Sequence, residues 1–292
     1  MKIRAPAKVN LGLRVIGRRP NGYHLVDTII VPVSLYDEIE ITKTRRSRKG
    51  AAGSKQLEVT CDHPSVPAGE KNLAYQAARL LLKEKNILEG VRIHINKRIP
   101  VGAGLGGGSS DAAAVLLGLN RLLHLNYSSK ELERISLSLG ADVPFFIKAV
   151  PARARGIGER LTPIKGLPKL WLIILYPGFS VSTAWVYRNL RLKLTKPRLN
   201  NSINSLLGTA DQIRRLLVND LESVIVSRYP KISSFKEDLT RAGAVGVLMS
   251  GSGSSVFGVF DSRQRARQAL CRLREEEGAQ AFLVQVLSKR RR

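Results

Sequence analysis

Cysteine is almost missing from this chain, with only Cys61 and Cys271 among 292 residues. Two distant thiols without a partnering motif exclude a disulfide framework and a cysteine-built zinc site. They are expected as reduced thiols packed like small hydrophobes. His63, His94 and His124 show no metal-ligand spacing and are expected in surface or core packing. Long apolar runs are lacking too, none approaching the ~20 residues that span a bilayer. Residues 1–17 carry no apolar signal core followed by a small-residue cleavage site, so a cytoplasmic location is expected. Aromatics are only 5% of residues, without basic residues interleaved among them, which argues against a dedicated RNA-binding module. Acidic residues are scarce as well: 23 against 48 Lys and Arg gives a net charge of +25. Such a field draws in anions, from phosphorylated metabolites to nucleic acid, and allows non-specific nucleic-acid affinity. The basic runs at 45–49 and 289–292 read as a solvated loop and tail rather than sites.

With 43% hydrophobic residues the chain can bury a real core. Residues 1–16 alternate through Val9, Leu11, Leu13 and Val15, a strand pattern, and Val91, Ile93 and Ile95 repeat it. Leu73, Ala77, Leu80 and Leu81 share a helical face. Residues 44–55, polar and basic with glycines, read as an exposed hairpin loop. A helix is predicted from Ser109 or Ser110 to about Leu123, apolar nearly all round and so buried. Ser128 with Glu131 forms a capping-box pattern that starts another helix, striped by Leu132, Ile135 and Leu139 and ended by Gly140. Residues 170–176 read as a buried strand, and Ile213, Leu216, Leu217, Leu221, Val224 and Ile225 mark one helix. Residues 245–249 and 256–260 read as strands joined by a serine–glycine turn, before a helix capped by Ser262. The mixture makes the class α+β, with a division near the Arg- and Gly-rich stretch 153–159.

The most informative segment is Pro100-Val101-Gly102-Ala103-Gly104-Leu105-Gly106-Gly107-Gly108-Ser109-Ser110-Asp111, running directly into the buried helix. Glycines at this density let backbone amides approach a polyphosphate with positive φ. The following helix aims its first N–H groups and roughly half a positive charge at the same place. Lys-Ser or Lys-Thr does not follow the last glycine, which excludes a Walker A loop, and residues 122–125 lack the acidic residue of a dinucleotide fingerprint. A flexible hinge gains nothing from being locked between a strand and a buried helix; the loop reads as a phosphate cradle.

Three other segments are ambiguous alone. Lys8, in Ala5-Pro6-Ala7-Lys8-Val9-Asn10-Leu11, could be an edge-facing strand charge. Asp142, in Gly140-Ala141-Asp142-Val143-Pro144-Phe145-Phe146, reads as a carboxylate at a helix end and is as fitting for a structural acceptor as for a catalyst. Ser250-Gly251-Ser252-Gly253-Ser254-Ser255 reads as a tight turn. Together with Asn21-Gly22-Tyr23-His24, the cradle and Asn219-Asp220-Leu221-Glu222, in this order, they resemble the GHMP kinase superfamily over essentially the whole chain. Gly22-Tyr23-His24 with Gly140-Ala141-Asp142-Val143-Pro144 points to the branch whose substrate bears a cytidine diphosphate, in non-mevalonate isoprenoid synthesis.

The resemblance implies a two-domain GHMP kinase architecture. Residues 1–158 would be a ribosomal protein S5 domain 2-like N-terminal domain with the ATP-binding loop. Residues 159–292 would be a ferredoxin-like α/β sandwich completing the substrate site. It implies ATP and Mg²⁺, with Pro100 to Ser110 holding the nucleotide. Lys8 and Asp142 would be the catalytic pair, Asp142 taking the hydroxyl proton and Lys8 stabilising negative charge, with Asn10 orienting them. Tyr23, His24, Lys97, Thr183, Tyr187, Gly251 and Ser252 would contact the substrate, Tyr23 and Tyr187 sandwiching the cytosine. Ordinary packing rivals that role for both tyrosines. Two departures stand out. Asp111 occupies a place where Asn or another small polar residue is expected, and its carboxylate repels phosphate unless it binds Mg²⁺ or faces away. Lys148-Ala149-Val150-Pro151-Ala152-Arg153 lacks the glycines usual there. A mevalonate- or homoserine-type kinase would keep the cradle without a reason for Gly22-Tyr23-His24, and a basic RNA-binding protein would need neither.

Overall fold

The computed structural model describes residues 1–44, 57–87, 90–191, 210–273 and 279–288. The expected loop at 44–55 lies outside these residues except for Thr44, as do both basic runs. The chain divides into two compact units. Unit 1 comprises Met1–Ala7, Tyr36–Val101 and Gly106–Ala149; unit 2 comprises Lys8–Leu35, Gly102–Leu105 and Val150–Arg292. Strands β1 (Lys2–Arg18) and β2 (His24–Thr44) each pass through both.

In unit 1, β3 (Leu57–Cys61), α1 (Leu73–Glu84) and β4 (Gly90–Asn96) precede α2 (Gly107–Leu122), α3 (Ser129–Ser136) and α4 (Val143–Lys148). β4 pairs antiparallel with β2 (Ile39 opposite Ile95, Ile41 opposite Ile93) and parallel with β3. Val91, Ile93 and Ile95 are buried and Arg92 exposed, because successive side chains of a strand face opposite ways. α2 begins at Gly107, two residues before the expected Ser109, and packs on α1 and α4. Its Gly118 lets the helix settle on the sheet: a Cβ there would come to 2.5 Å from Ile3 Cδ1 and Ile41 Cδ1. The capping box at Ser128 and Glu131 is present, although α3 ends at Ser136, before Gly140. Ala149 closes α4 with a left-handed φ of 48°, the conformation glycine normally supplies.

Unit 2 contains β5 (Ala152–Gly156), β6 (Arg160–Pro163), β7 (Trp171–Tyr176), α5 (Thr183–Asn189), α6 (Ala210–Arg214) and β8 (Val218–Asn219). It continues through α7 (Glu222–Val226), α8 (Pro230–Arg241), β9 (Gly246–Met249), β10 (Val256–Phe260), α9 (Arg263–Leu273) and β11 (Gln280–Gln285). Its four-stranded sheet has the order β11-β7-β10-β9 with antiparallel neighbours. Numbered in chain order, that is 4-1-3-2, the ferredoxin-like arrangement expected for this half, with α8 and α9 packed on it. Ile173, Leu175, Phe235, Leu239, Val256 and Phe260 lie in its core.

Two readings are corrected here. The expected single helix over 213–225 is α6, then β8, then α7: residues 218–219 leave the helical path to pair with Gly12 and Leu13 of β1. Cys271 is exposed rather than packed, because the buried stripe of α9 is Ala266, Ala269, Leu270 and Leu273.

Candidate active site

The glycine loop passes through both units: Pro100 and Val101 belong to unit 1, Gly102–Leu105 to unit 2, and Gly106 to Ser110 to unit 1 again. Within unit 2 the carbonyls of Gly102, Ala103, Gly104 and Leu105 accept hydrogen bonds from Val181 N (3.2 Å), Ser255 N (3.1 Å), Ser250 Oγ (3.0 Å) and Lys8 N (2.9 Å). A trans peptide points its N–H opposite to its C=O. With each of these carbonyls held, the amides of Ala103, Gly104 and Leu105 each point away from the partner of the preceding carbonyl. Gly102, Gly104 and Gly106 have φ of 65°, 76° and 72°, left-handed values at every second residue, which is how backbone N–H groups converge into an anion nest. In unit 1, Gly106 is the N-cap of α2 without a side-chain cap bond, leaving the first amides of a 16-residue helix for an anion. Ser109 is half-buried and Ser110 buried in that first turn.

Lys97 and Asp111 explain the unusual carboxylate. The Lys97 ammonium ion-pairs with Asp37 and, at 2.8 Å, with Asp111, all three side chains being at most 4% exposed. Asp37 also accepts the amides of Arg98 (2.6 Å) and Ile99 (2.8 Å), fixing the strand exit into the cradle. Asp111 is therefore turned into an ionic cluster. Burial pushes its carboxyl up to about 8, with Lys97 opposing and Asp37 adding to the shift. Burial acts to lower the Lys97 ammonium, and the charges of Asp111 and Asp37 outweigh it, so its pKa stands above the ordinary value. Lys97 Nζ also crowds the cradle: a Cβ on Gly107 would come to 2.8 Å from it. Asp37 left no sequence signal beyond its place in an apolar run.

Lys8 and Asn10 lie buried in the unit 2 part of β1. Lys8 Nζ donates to Asn10 Oδ1 at 2.6 Å, Asn10 Nδ2 to Thr28 Oγ1 at 2.8 Å, and Thr28 Oγ1 to the Gly12 carbonyl at 2.6 Å. The relay sets the amide: its NH₂ must face Thr28, so its oxygen faces the lysine. Gly251, at φ 56°, lies over this pair, for a Cβ there would stand 3.2 Å from Asn10 Oδ1 and 3.3 Å from Lys8 Nζ.

Thr183 Oγ1 and Ser252 Oγ are 2.8 Å apart, and the Tyr187 ring stacks on His24 at 5.0 Å and 27°. Burial, helped by the Arg18 charge, lowers the His24 pKa and favours the neutral imidazole. Tyr23 stands 60% exposed on a turn closed by Arg19 N to Tyr23 O (2.7 Å) and Gly22 N to Arg19 O (2.9 Å). Asp142, in unit 1, is the half-buried N-cap of α4, so it starts a helix rather than ending one. Pro144 in the first turn explains the reversal, since proline suits a helix start. The side chain does not cap its own helix.

Among the described residues no helix is long and apolar enough to cross a membrane, and no group of three His, Cys, Asp or Glu is disposed to hold a metal. Ser110 Oγ and Asp111 Oδ1 are buried oxygens without hydrogen-bond partners among the described residues, donors suited to a hard cation.

Known proteins resemble this chain over nearly its whole length. The models for the GHMP kinases N terminal domain and the GHMP kinases C terminal region match residues 72–149 and 201–279. The 4-diphosphocytidyl-2-C-methyl-D-erythritol kinase of Syntrophotalea carbinolica is 48% identical over 281 residues, 96% of this chain and 97% of its own. The crystal structure of a 4-(cytidine 5'-diphospho)-2C-methyl-D-erythritol kinase superposes with a TM-score of 0.81 at 39% identity, covering 97% of this chain and 99% of that one. A homoserine kinase from Cytophaga hutchinsonii shares the fold, with a TM-score of 0.76 at 20% identity, over 99% of this chain and 95% of its own.

Proposed function

The chain belongs to the 4-diphosphocytidyl-2-C-methyl-D-erythritol kinases of the GHMP kinase family, and from that premise we propose that it phosphorylates the 2-hydroxyl of 4-diphosphocytidyl-2-C-methyl-D-erythritol with ATP. The reaction belongs to the non-mevalonate route to isoprenoid precursors, in the cytoplasm. The observation that carries the reading is the loop at 102–105, whose four carbonyls are each engaged by a hydrogen bond and whose φ turns left-handed at Gly102, Gly104 and Gly106, the pattern of an anion nest.

In this reading residues 1–158 supply the nucleotide cradle and residues 159–292 complete the substrate site. The amides at 103–105 and the start of α2 take the phosphates of ATP. Phosphoryl transfer asks a protein mainly for positioning and charge neutralisation. Asp142 accepts the proton of the attacking hydroxyl, and Lys8, oriented by Asn10, offsets the charge gathering on the transferred group. Tyr23 stacks on the cytosine, with His24, Tyr187, Thr183, Lys97, Gly251 and Ser252 contributing to the substrate site. Ser110 Oγ would hold Mg²⁺, with Asp111 Oδ1 joining it only on loss of the carboxyl proton to the ion; when bound, the ion neutralises phosphate charge. The excess of basic residues gives, besides, a weak and salt-sensitive affinity for nucleic acid.

The test is a phosphorylation assay with ATP and three acceptors: the cytidine-bearing substrate, mevalonate and homoserine. Turnover of the first alone supports the reading. Turnover of either of the others in its place, or of none, overturns it.

A further inference from the structure

Asn219 occupies β8, a strand of two residues, too short to hold itself. Its neighbour Asp220 anchors it. Asp220 N donates to Leu13 O at 3.0 Å, and its carboxylate accepts Val15 N at 2.9 Å and Arg14 Nη1 at 3.0 Å. The pairing of Gly12 with Val218 and Leu13 with Asn219 completes the attachment to β1. That is the strand carrying Lys8 and Asn10. From this anchored position the Asn219 amide reaches the other way. Its Nδ2 donates to the carbonyls of Met249 and Gly251, both at 2.8 Å, and its Oδ1 accepts Leu221 N at 2.9 Å. The side chain is only 8% exposed with its polar atoms engaged, so its position is strongly determined.

What Asn219 holds is the segment that covers the lysine. Gly251 lies over Lys8 and Asn10. Between the two bonded carbonyls, Ser250 accepts Asn10 N at 3.4 Å and donates to Gly104 O at 3.0 Å, one of the bonds that turn the cradle carbonyls aside. β1 is thus the reference from which the position of 249–251 is set, and Asn219 is the spacer.

We propose that Asn219 is a positioning residue for phosphoryl transfer, acting through the segment 249–251 to set the Gly251 backbone over Lys8 and to keep Gly104 in its cradle geometry. It rests on the role given to Lys8 above. It is not expected to touch either substrate. A misplacement of about 1 Å at a reacting group can cost on the order of 10²-fold in rate.

The test uses the full-length enzyme with Asn219→Asp, Asn219→Ala and, as a destabilised control, Leu239→Ala in the core of unit 2. Asn219→Asp places a carboxylate against two carbonyls. Ionised, it repels both; protonated, it regains one donation. The expected result is a kcat about 10²-fold low at pH 8 that recovers at least about tenfold at pH 5.5 relative to wild type. Asn219→Ala is expected to lose kcat similarly with no such recovery. Leu239→Ala, compared per folded molecule by circular dichroism, is expected to keep wild-type kcat. Wild-type kcat in folded Asn219→Ala, an Asn219→Asp profile parallel to wild type, or an equal loss in Leu239→Ala would each overturn the proposal. Loss of turnover in Lys8→Ala beside unchanged Asn219 variants would sink this inference alone; full turnover in Lys8→Ala would remove its premise.

Discussion

Lys97 Nζ sits 2.8 Å from Asp111 Oδ2, with Asp37 on its other side, so one cation is shared by two buried carboxylates. Burial, with the neighbouring Asp37 charge adding to it, pushes the Asp111 carboxyl up to about 8 from an ordinary 3.8. The folded protein therefore holds a proton that the unfolded chain releases between those two values. Stability from this group is full below the unfolded pKa and is lost as pH rises toward about 8. Asp111→Asn keeps the shape and removes the titration. Urea unfolding at pH 5, 7 and 9 should show a flatter decline for the variant than for wild type. Parallel declines would dismiss the buried proton.

Lys8 and Asp142 are assigned different work, so their variants should fail in the same parameter by different routes. Lys8→Ala and Asp142→Ala are each expected to lose about 10³-fold in kcat, in line with a positioned proton acceptor or charge partner. Nucleotide binding, measured by calorimetry with a non-hydrolysable ATP analogue, should persist in both. Unchanged turnover in either discards its role.

Gly104 is a stricter test of the cradle. Its φ is 76°, and a Cβ there would run into Ser250 O and stand 2.9 Å from Gly253 O. Gly69, at φ 61°, has nothing within 4 Å of the same position and isolates the backbone strain. Gly69→Ala should cost about 1–2 kcal/mol, whereas Gly104→Ala should cost about 1–3 kcal/mol more through crowding. Its KM for ATP should also rise at least about tenfold. Equal costs in melting experiments would show that the loop gives way freely.

The sequence made some of this legible and hid the rest for identifiable reasons. β4 was readable because Val91, Ile93 and Ile95 alternate strictly, and α3 because Ser128 and Glu131 satisfy each other locally. β8 was hidden inside an apolar helical pattern, since its course is decided by β1, some 200 residues earlier in the chain. The length of β2 was equally hidden: Ile29, Ile30, Val31 and Val33 are all buried, so that stretch shows no alternation. The cradle, Lys8 and Asp142 could be named from motifs. Asp37 could not, and Asn219, although it opens one of the motif segments, showed no role there, because accepting a backbone amide or bridging two carbonyls leaves no periodic trace.

Tyr23 is 60% exposed, a large aromatic side chain held in water on a turn tied back to Arg19. Stacking on a base contributes about 1–3 kcal/mol, so Tyr23→Ala should raise KM for the cytidine-bearing substrate roughly 5- to 150-fold. KM for ATP should stay within about twofold, and Tyr23→Phe should behave as wild type. A matching rise in both KM values would place the tyrosine elsewhere.

Asp27 and Arg153 form the most buried ion pair of unit 2 among the described residues, with side chains 0% and 9% exposed. The guanidinium donates through Nε at 2.7 Å and Nη2 at 2.5 Å, a two-pronged contact between β2 and β5. Arg155 Nε lies 3.9 Å from the same carboxylate, half-exposed and too far to replace these bonds. Removing one partner of a buried pair strands the other charge, which costs about 3–5 kcal/mol. Arg153→Met should therefore destabilise by that amount in urea unfolding. Asp27→Asn combined with Arg153→Met should recover most of it, because the stranded charge and not the lost attraction is the larger penalty. A double variant as unstable as the single would mean that the pair's hydrogen bonds, rather than its charges, hold β5 in register.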